Sequence, residues 1–471
     1  MSSGGNYSVY NATINALERA VKERVLMVCE DGLWKTPFRP SEKQFALRVS
    51  SFAERMKKLV RYSTPMSPLA FAMTFQGRKR TILLNAAKLN EERGFSDRCA
   101  SIRPFLKHEK YLFSEGKSVI PRVIQPRDQR YIVETGRYIK PIEKLIYKAI
   151  DTVYGEATVF KGLNMEDRGN LLWKKWNRFK RPIAISIDVS KFDRSVSNAA
   201  LKWEHKMYQA YYPGDRYFRR LMRLQRSNHG FGCCRDGFLT YATKHNRASG
   251  DSNTSLGNVL LMCGMVFDYL ESIGIEMSVA DDGDDCVILL EWIDAEKLSG
   301  LSSWFKKAGF PVVIERPVEV FEQIVFCQSS PVRNYDGGYT MVRNPRASVG
   351  KDAVALKPLD NVSIARKWMA AVGDGGMALT SGMPVLQEYY SVYKRNSNGA
   401  TPLVDTTIDG GFFRLSKGMT KDYRKPTDQT RMSFWLAFGI TPEEQVSLEE
   451  YYRGITLGEG NILCRFNTLP M

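Results

Sequence analysis

Residues 277–291 read MSVADDGDDCVILLE, and this stretch limits the fold more than any other. Two apolar runs flank five residues, four of them aspartate. The apolar runs demand burial and the carboxylates resist it, so the segment reads as two short strands joined by an acidic turn. Gly283 permits the tight backbone that presents adjacent carboxylates at the tip. Carboxylates so placed repel each other, which is costly unless a cation sits between them. Taken alone, an acidic surface turn explains the same letters, because Asp-Gly is among the commonest hairpin signals.

A second carboxylate pair gives that turn a partner. The alternation in AISIDVSKFD (184–193) reads as a strand running into a turn, with Asp188 at its end and Asp193 five positions later. Two such strands side by side would hold three carboxylates around two divalent cations, and hard oxygen ligands suit Mg²⁺, with Mn²⁺ able to substitute. The chemistry of such a site is in-line phosphoryl transfer to a 3′-hydroxyl with pyrophosphate leaving. A third element, RASGDSNTSLGN (247–258), sets hydroxyls and amides just before an apolar helix. Helix capping accounts for Ser252 to Ser255. The functional reading groups Asn258 with Asp193 and Ser249 as a ribose pocket, since a 2′-hydroxyl both donates and accepts.

Composition narrows the partner. Lys plus Arg number 68 and Asp plus Glu 51, a formal net charge of +17 that points to a polyanion. Eight cysteines lie scattered without a CxxC pair, as in a reducing, cytosolic protein, and His229 with Cys233 and Cys234 has no second ligand pair for zinc. The apolar stretch Leu256 to Leu270 is broken by Gly257, Asn258, Gly264 and Asp268 and reads as a buried helix, too short to cross a bilayer. No signal peptide is evident, so membrane attachment is expected from a surface patch or a partner.

Elsewhere the pattern predicts helical pieces over 11–62 around a turn at Asp31-Gly32, and a helix over 141–153 after Pro141. Helical residues 199–227 break near Pro213-Gly214, and a hairpin covers 231–243. The loop 249–257 leads into a helix at 258–272. A helix (294–308) and strands (311–315 and 322–327) follow. From about 353 the pattern is mostly helical, with glycine-rich interruptions at 373–376 and 409–411.

The order D-x4-D, SG-x3-T-x3-N, GDD resembles palm motifs A, B and C of viral RNA-dependent RNA polymerases. SGDSNTSLGN followed by GDDCV is closer still to the tombusvirus-like polymerases, including carmovirus and umbravirus relatives. PRVIQPRDQRY (121–131) resembles their motif F, WFKKAGFPV (304–312) motif D, and VFCQSSPV (325–332) motif E. FQGRKR (75–80) resembles the template-entrance segment, and RMSFWLAFGITPEEQ (431–445) the C-terminal region.

The resemblance implies an α+β right hand: fingers over 1–181 and 206–246, a palm with an antiparallel sheet over 182–205 and 247–330, and a mainly helical thumb over 331–471. It makes Asp188 and Asp284 the principal metal ligands, with Asp285 in support. Asp193, Ser249, Thr254 and Asn258 would read the ribose, and Arg122, either Arg127 or Arg130, Lys107 and Lys110 would hold the triphosphate. Gly77, Arg78, Lys79 and Arg80 would line the template entrance, and Phe326, Cys327 and Gln328 the primer grip. Lys306 or Lys307 would protonate pyrophosphate. One departure stands out: Asp281 and Asp282 precede GDD where relatives often carry uncharged polar residues, so the extra charge should alter metal affinity or face solvent.

The implied partners are RNA template and product, NTPs, and viral or host factors that supply membrane attachment at cytoplasmic replication complexes. Relatives of this type often arise by readthrough of an upstream membrane-targeting protein, and the chain is expected to be either that polymerase portion or an independently started product. They generally start without a protein primer, and the stretches Val372 to Met377 and Asp409 to Phe413 are the candidate platforms. A reverse transcriptase shares the palm carboxylates but normally excludes the 2′-hydroxyl with a bulky residue, where this chain offers Asp193 and Asn258. A basic capsid-like protein would explain the charge but not the carboxylates.

Overall fold

Four segments pair into one antiparallel sheet: β1 (Pro182–Val189), β2 (Ser278–Asp281), β3 (Asp285–Glu291) and β4 (Val312–Ile314), in the order β2-β3-β1-β4. The period-two pattern of β1 sorts its side chains between two faces. Ile183, Ile185, Ile187 and Val189 face one hydrophobic core, and Ala184 faces another. Each fully buried Ile or Val there stabilises the fold by about 1.5–3 kcal/mol relative to exposure. In β3 the sorting runs the same way, with Cys286, Ile288 and Leu290 in the first core and Val287 and Leu289 in the second. The computed structural model describes residues 6–113, 119–356, 359, 361–403 and 415–456.

Five helices frame the sheet: α1 (Gln129–Tyr154), α2 (Met165–Trp176), α3 (Asn198–Gln209), α4 (Arg216–Leu224) and α5 (Thr254–Ser272). The expected buried helix is α5, which begins four residues earlier than its apolar run suggested and is buried continuously from Leu256 to Leu270. It is apolar all round because two cores meet on it. Leu261, Met262, Met265 and Val266 pack on the sheet, whereas Leu256, Val259, Leu260, Cys263 and Phe267 pack towards α1, α3 and α4. Its one interior carboxylate, Asp268, accepts the backbone N–H groups of Ser51 (3.0 Å) and Phe52 (2.8 Å) at the start of the helix Ser50–Lys58. No helix among the described residues is long and apolar enough to cross a membrane.

Several local expectations change. The turn at Asp31-Gly32 joins two short strands, Val28–Glu30 and Leu33–Lys35, rather than two helices, with φ of 51° and 77° at the corner. The helix expected to start after Pro141 runs from Gln129 straight through it. Proline cannot bond the carbonyl of Arg137, and the N–H of Met66 takes that acceptor instead at 2.9 Å. The strand expected over 322–327 is a 3₁₀ turn (Phe321–Gln323) leading to a tight corner, after which β5 (Ser329–Arg333) pairs with β6 (Tyr339–Arg343).

Beyond β6 the chain builds a separate helical core from α6 (Val362–Thr380), α7 (Leu386–Asn396), α8 (Asp428–Phe438) and α9 (Pro442–Gly454). The expected glycine-rich interruption at 373–376 lies inside α6. A Cβ at Gly376 would fall 2.1 Å from the Tyr390 ring, and one at Gly373 2.7 Å from the backbone nitrogen of Lys394. These glycines let α7 approach α6 closely, so Val372 to Met377 does not project as a loop. The second candidate platform, Asp409 to Phe413, lies outside the described residues.

Candidate active site

The register of the sheet sets the acidic centre. Asp188 of β1 is the cross-strand partner of Asp285 of β3, so both side chains stand on one face of the sheet. Asp284 occupies the turn between β2 and β3, where Gly283 adopts a φ of 98° and the Asp282 N–H closes the corner onto the Asp285 carbonyl at 2.9 Å. Partial burial and then Asp284 push the Asp188 carboxyl above its ordinary value. Asp285 rises to about 6 through burial and then the charges of Asp284, Asp282 and Asp188, with Lys161 opposing. Among the described residues no three His, Cys, Asp or Glu side chains already converge as a coordination shell. The donor set is nonetheless all oxygen and self-repelling, which is what a hard divalent cation relieves.

Sequence reasoning missed Glu315, whose backbone N–H bonds the Ser186 carbonyl at 2.9 Å beside Asp188. Burial and Asp188 raise its carboxyl too. Only the pairing of β4 with β1 brings it there.

The first two aspartates of the run behave differently. Asp282 neither faces solvent nor joins the acidic centre: it forms ion pairs with Lys161 and with Arg168, the latter at 2.6 Å. Burial pushes its carboxyl up, but the two cations outweigh that and hold it below the usual range. Asp281 is fully buried against α5, and burial drives its carboxyl well above the ordinary value. One of its oxygens accepts from the Gly283 N–H at 3.1 Å, and the Cys263 thiol of α5 lies beside the carboxyl as a further donor. Lys161 also donates to the Asp282 carbonyl at 2.5 Å, and Arg168 donates to the Phe160 and Leu163 carbonyls at 3.2 and 3.1 Å and to Cys327 Sγ at 3.4 Å. Neither cation carried a motif signal in the sequence.

The ribose candidates separate into two pairs. Asn258 donates to Asp193 at 3.3 Å, and the Asn258 side-chain oxygen is buried without a partner among the described residues. Burial raises Asp193 to about 6 against the pull of Arg247 and Asn258. Ser249 and Thr254 instead shape the loop: Ser249 Oγ accepts from the Gln125 N–H at 3.1 Å, and Thr254 Oγ1 donates to the Ala248 carbonyl at 2.9 Å. A Cβ at Gly250 would sit 2.5 Å from Pro126 Cα, so glycine permits this close seam between 121–131 and the loop. Arg247, paired with Glu204 in the interior, anchors the loop from below.

The basic candidates divide likewise. Arg127 is not free for a phosphate: it is buried and spends its donors on Asp251 (2.5 Å), the Ala100 carbonyl (2.5 Å) and Asn228 (2.7 Å). Arg130 bonds Asn90 at 2.8 Å and the Gly94 carbonyl. Lys110 reaches the carbonyls of Lys351 and, at 2.6 Å, Val354, and burial lowers its ammonium to about 8. Lys107 and the exposed Arg122 share Glu109 at 3.0 and 3.4 Å, weak pairs that a phosphate can displace.

Gly77, Arg78, Lys79 and Arg80 open the helix Gly77–Arg93, with Arg80 donating to the Phe75 carbonyl at 2.8 Å and Lys79 4.5 Å over the Phe75 ring. Lys306 and Lys307 are both exposed at the end of the helix Leu301–Lys307. Phe326 is buried edge-on to Phe160, and Cys327 and Gln328 form a corner with φ of 52° and 60° closed by two Phe326–Ser329 bonds. Cys327 Sγ lies 3.5 Å from an Asp282 oxygen, which ties this corner to the acidic hairpin.

Residues 1–459 match the family described as "Viral RNA dependent RNA polymerase". The chain is 39% identical over 451 residues to the RNA-directed RNA polymerase of Tobacco necrosis virus (strain A), covering 94% of this chain and 61% of that protein. It is 36% identical over 463 residues to the RNA-directed RNA polymerase of Turnip crinkle virus, covering 97% and 59%. The RNA-directed RNA polymerase of Oat chlorotic stunt virus is 36% identical over 476 residues, covering 96% and 63%. The chain therefore belongs to the viral RNA-dependent RNA polymerase family, on its tombusvirus-like branch. It spans about three-fifths of the length of these relatives.

Proposed function

We propose that the chain copies RNA from NTPs, transferring NMP to an RNA 3′-hydroxyl within a right hand of fingers (1–181, 206–246), palm (182–205, 247–330) and thumb (331–471). The observation that carries this is the cross-strand pairing of Asp188 with Asp285 beside Asp284, on a sheet backed by α5. Asp188 and Asp284, supported by Asp285, would hold two Mg²⁺ ions, or Mn²⁺ in their place. Bound there, the ions supply activation of the 3′-hydroxyl and neutralisation of the pyrophosphate.

Asp193 and Asn258 are the groups that read the 2′-hydroxyl, because they already touch and the Asn258 oxygen has no partner among the described residues. Lys107 and Arg122 are the triphosphate cations whose charge is least committed. Arg127, Arg130 and Lys110 brace the fingers segment that presents them. Initiation is primer-independent, and attachment to cytoplasmic replication membranes comes from viral or host partners.

Metal-dependent extension of an annealed RNA primer, run with NTPs and with dNTPs, tests the reading. Incorporation of NTPs in preference to dNTPs, abolished by chelation, is the expected result. Preference for dNTPs, or RNA binding without incorporation, would overturn it.

A further inference from the structure

The helix α4 (RYFRRLMRL) divides its residues sharply. Phe218, Leu221 and Met222 are wholly buried against the core of α1 and α3. Arg216, Arg219, Arg220 and Arg223 are all exposed, spaced i, i+3, i+4 and i+7, and so form one stripe. The guanidinium groups of Arg216 and Arg223 have no hydrogen-bond or ion-pair partner among the described residues. Arg220 pairs with Asp97 at 2.9 Å, and Arg219 bonds the carbonyls of Asp215 and Gly214 at 3.3 and 3.1 Å. Arg226, half-buried just beyond the end of the helix, lies close to Arg223, and the exposed Lys206 lies nearby, on the side of Glu42. Arginines at these spacings repel one another and weaken the helix, a cost that a polyanion removes.

The stripe lies away from the acidic centre. Leu221 and Met222 belong to the core that α5 enters through Leu256 and Leu260, whereas the sheet packs on the face of α5 that carries Leu261 and Met262. We propose that α4 is a second RNA-binding surface, which holds the phosphate backbone of single-stranded RNA outside the catalytic channel. From Arg216 to Arg223 the helix covers about 10 Å of axis, enough to meet more than one phosphate of a strand. Guanidinium forks suit phosphate oxygens. A membrane surface fits less well, because the apolar face of α4 is spent on the core and leaves nothing to insert into lipid.

The choice of RNA as the polyanion rests on the proposed function, but binding measured without divalent ions tests it separately from nucleotide addition. Affinity of the full chain is measured over a salt series for a short oligoribonucleotide that fills only the channel and for one several-fold longer. For Arg216→Gln/Arg219→Gln/Arg223→Gln, affinity for the long RNA should fall about ten-fold, with the slope of log K against log salt shallower by about two. Binding of the short RNA should be unchanged, and the triple Arg→Lys variant should keep most of the long-RNA affinity. An unchanged unfolding midpoint would show that the Gln variant is folded. Equal affinity for long RNA in wild type and Gln variant would overturn the proposal. So would an equal loss on both RNAs, or loss of binding to vesicles containing anionic phospholipid with RNA binding intact.

Discussion

The run Asp281-Asp282-Gly283-Asp284-Asp285 holds two pairs of the same residue with opposite fates. Asp281 and Asp282 are neutralised, the first by a raised proton affinity inside the core and the second by Lys161 and Arg168. Asp284 and Asp285 turn outward beside Asp188, and among the described residues no comparable partner relieves their mutual repulsion. The corner at Gly283 separates an acid pair that holds the hairpin together from an acid pair available to a cation. Residue type alone does not assign a carboxylate to chemistry; what surrounds its charge does.

Removing an acid from the outward group should have the largest effect. Asp188→Asn should lower the rate of single-nucleotide addition at least about a thousand-fold while RNA affinity stays within a few-fold, since the basic surfaces are untouched. A rate measured on a pre-annealed primer within ten-fold of wild type would show that Asp188 does not hold a metal needed for addition.

Cutting the inward group should instead cost stability. Arg168→Leu strands the buried Asp282 charge with Lys161 alone and should destabilise the fold by about 3 kcal/mol in urea unfolding. Adding Asp282→Asn should return at least half of that loss. If the double variant is no more stable than the single one, the ion pairs are not what holds the hairpin.

A smaller effect should come from the neighbouring amide. Asn258→Ala should reduce catalytic efficiency with NTPs by about 1–3 kcal/mol more than with dNTPs, the value of a buried hydrogen bond. Equal losses with both substrates would make Asn258 a structural residue.

The mildest change should be Asp281→Asn. A buried carboxyl held protonated resembles the amide in size and charge, so stability at mildly acid pH should change by less than about 1 kcal/mol. The sign with pH is fixed by linkage. Because the folded value lies above the ordinary 3.8, the Asp281 contribution is fully present below 3.8 and is lost as pH rises towards the folded value. The amide does not titrate, so the variant should gain on wild type as pH rises, and a constant difference across the range would contradict the burial of a neutral acid.

The positions of the motifs were legible in the sequence because periodicity and turn chemistry are local. The strands around Asp188 and Asp284 and the buried helix α5 follow from alternation and length. What the chain does with Asp282 was not legible, because its partners Lys161 and Arg168 lie more than a hundred positions away and belong to no motif. The same holds for Arg127, where motif context favoured a phosphate ligand and tertiary structure supplied Asp251, Ala100 and Asn228. The pattern makes Pro141 a helix start and Gly376 part of an interruption, yet Met66 lets the helix run through the one and Tyr390 requires the other inside a helix. Each departure is a distant group overriding a local preference.

Comparing Asp282→Asn with Asp284→Asn in Mg²⁺-dependent single-nucleotide addition asks whether Gly283 divides a structural acid from the acid proposed to hold the metal. Asp284→Asn should abolish addition, whereas Asp282→Asn should keep the rate within about ten-fold of wild type while losing stability. Near-wild-type addition by Asp284→Asn, or abolition by Asp282→Asn in a protein of unchanged stability, would contradict that division.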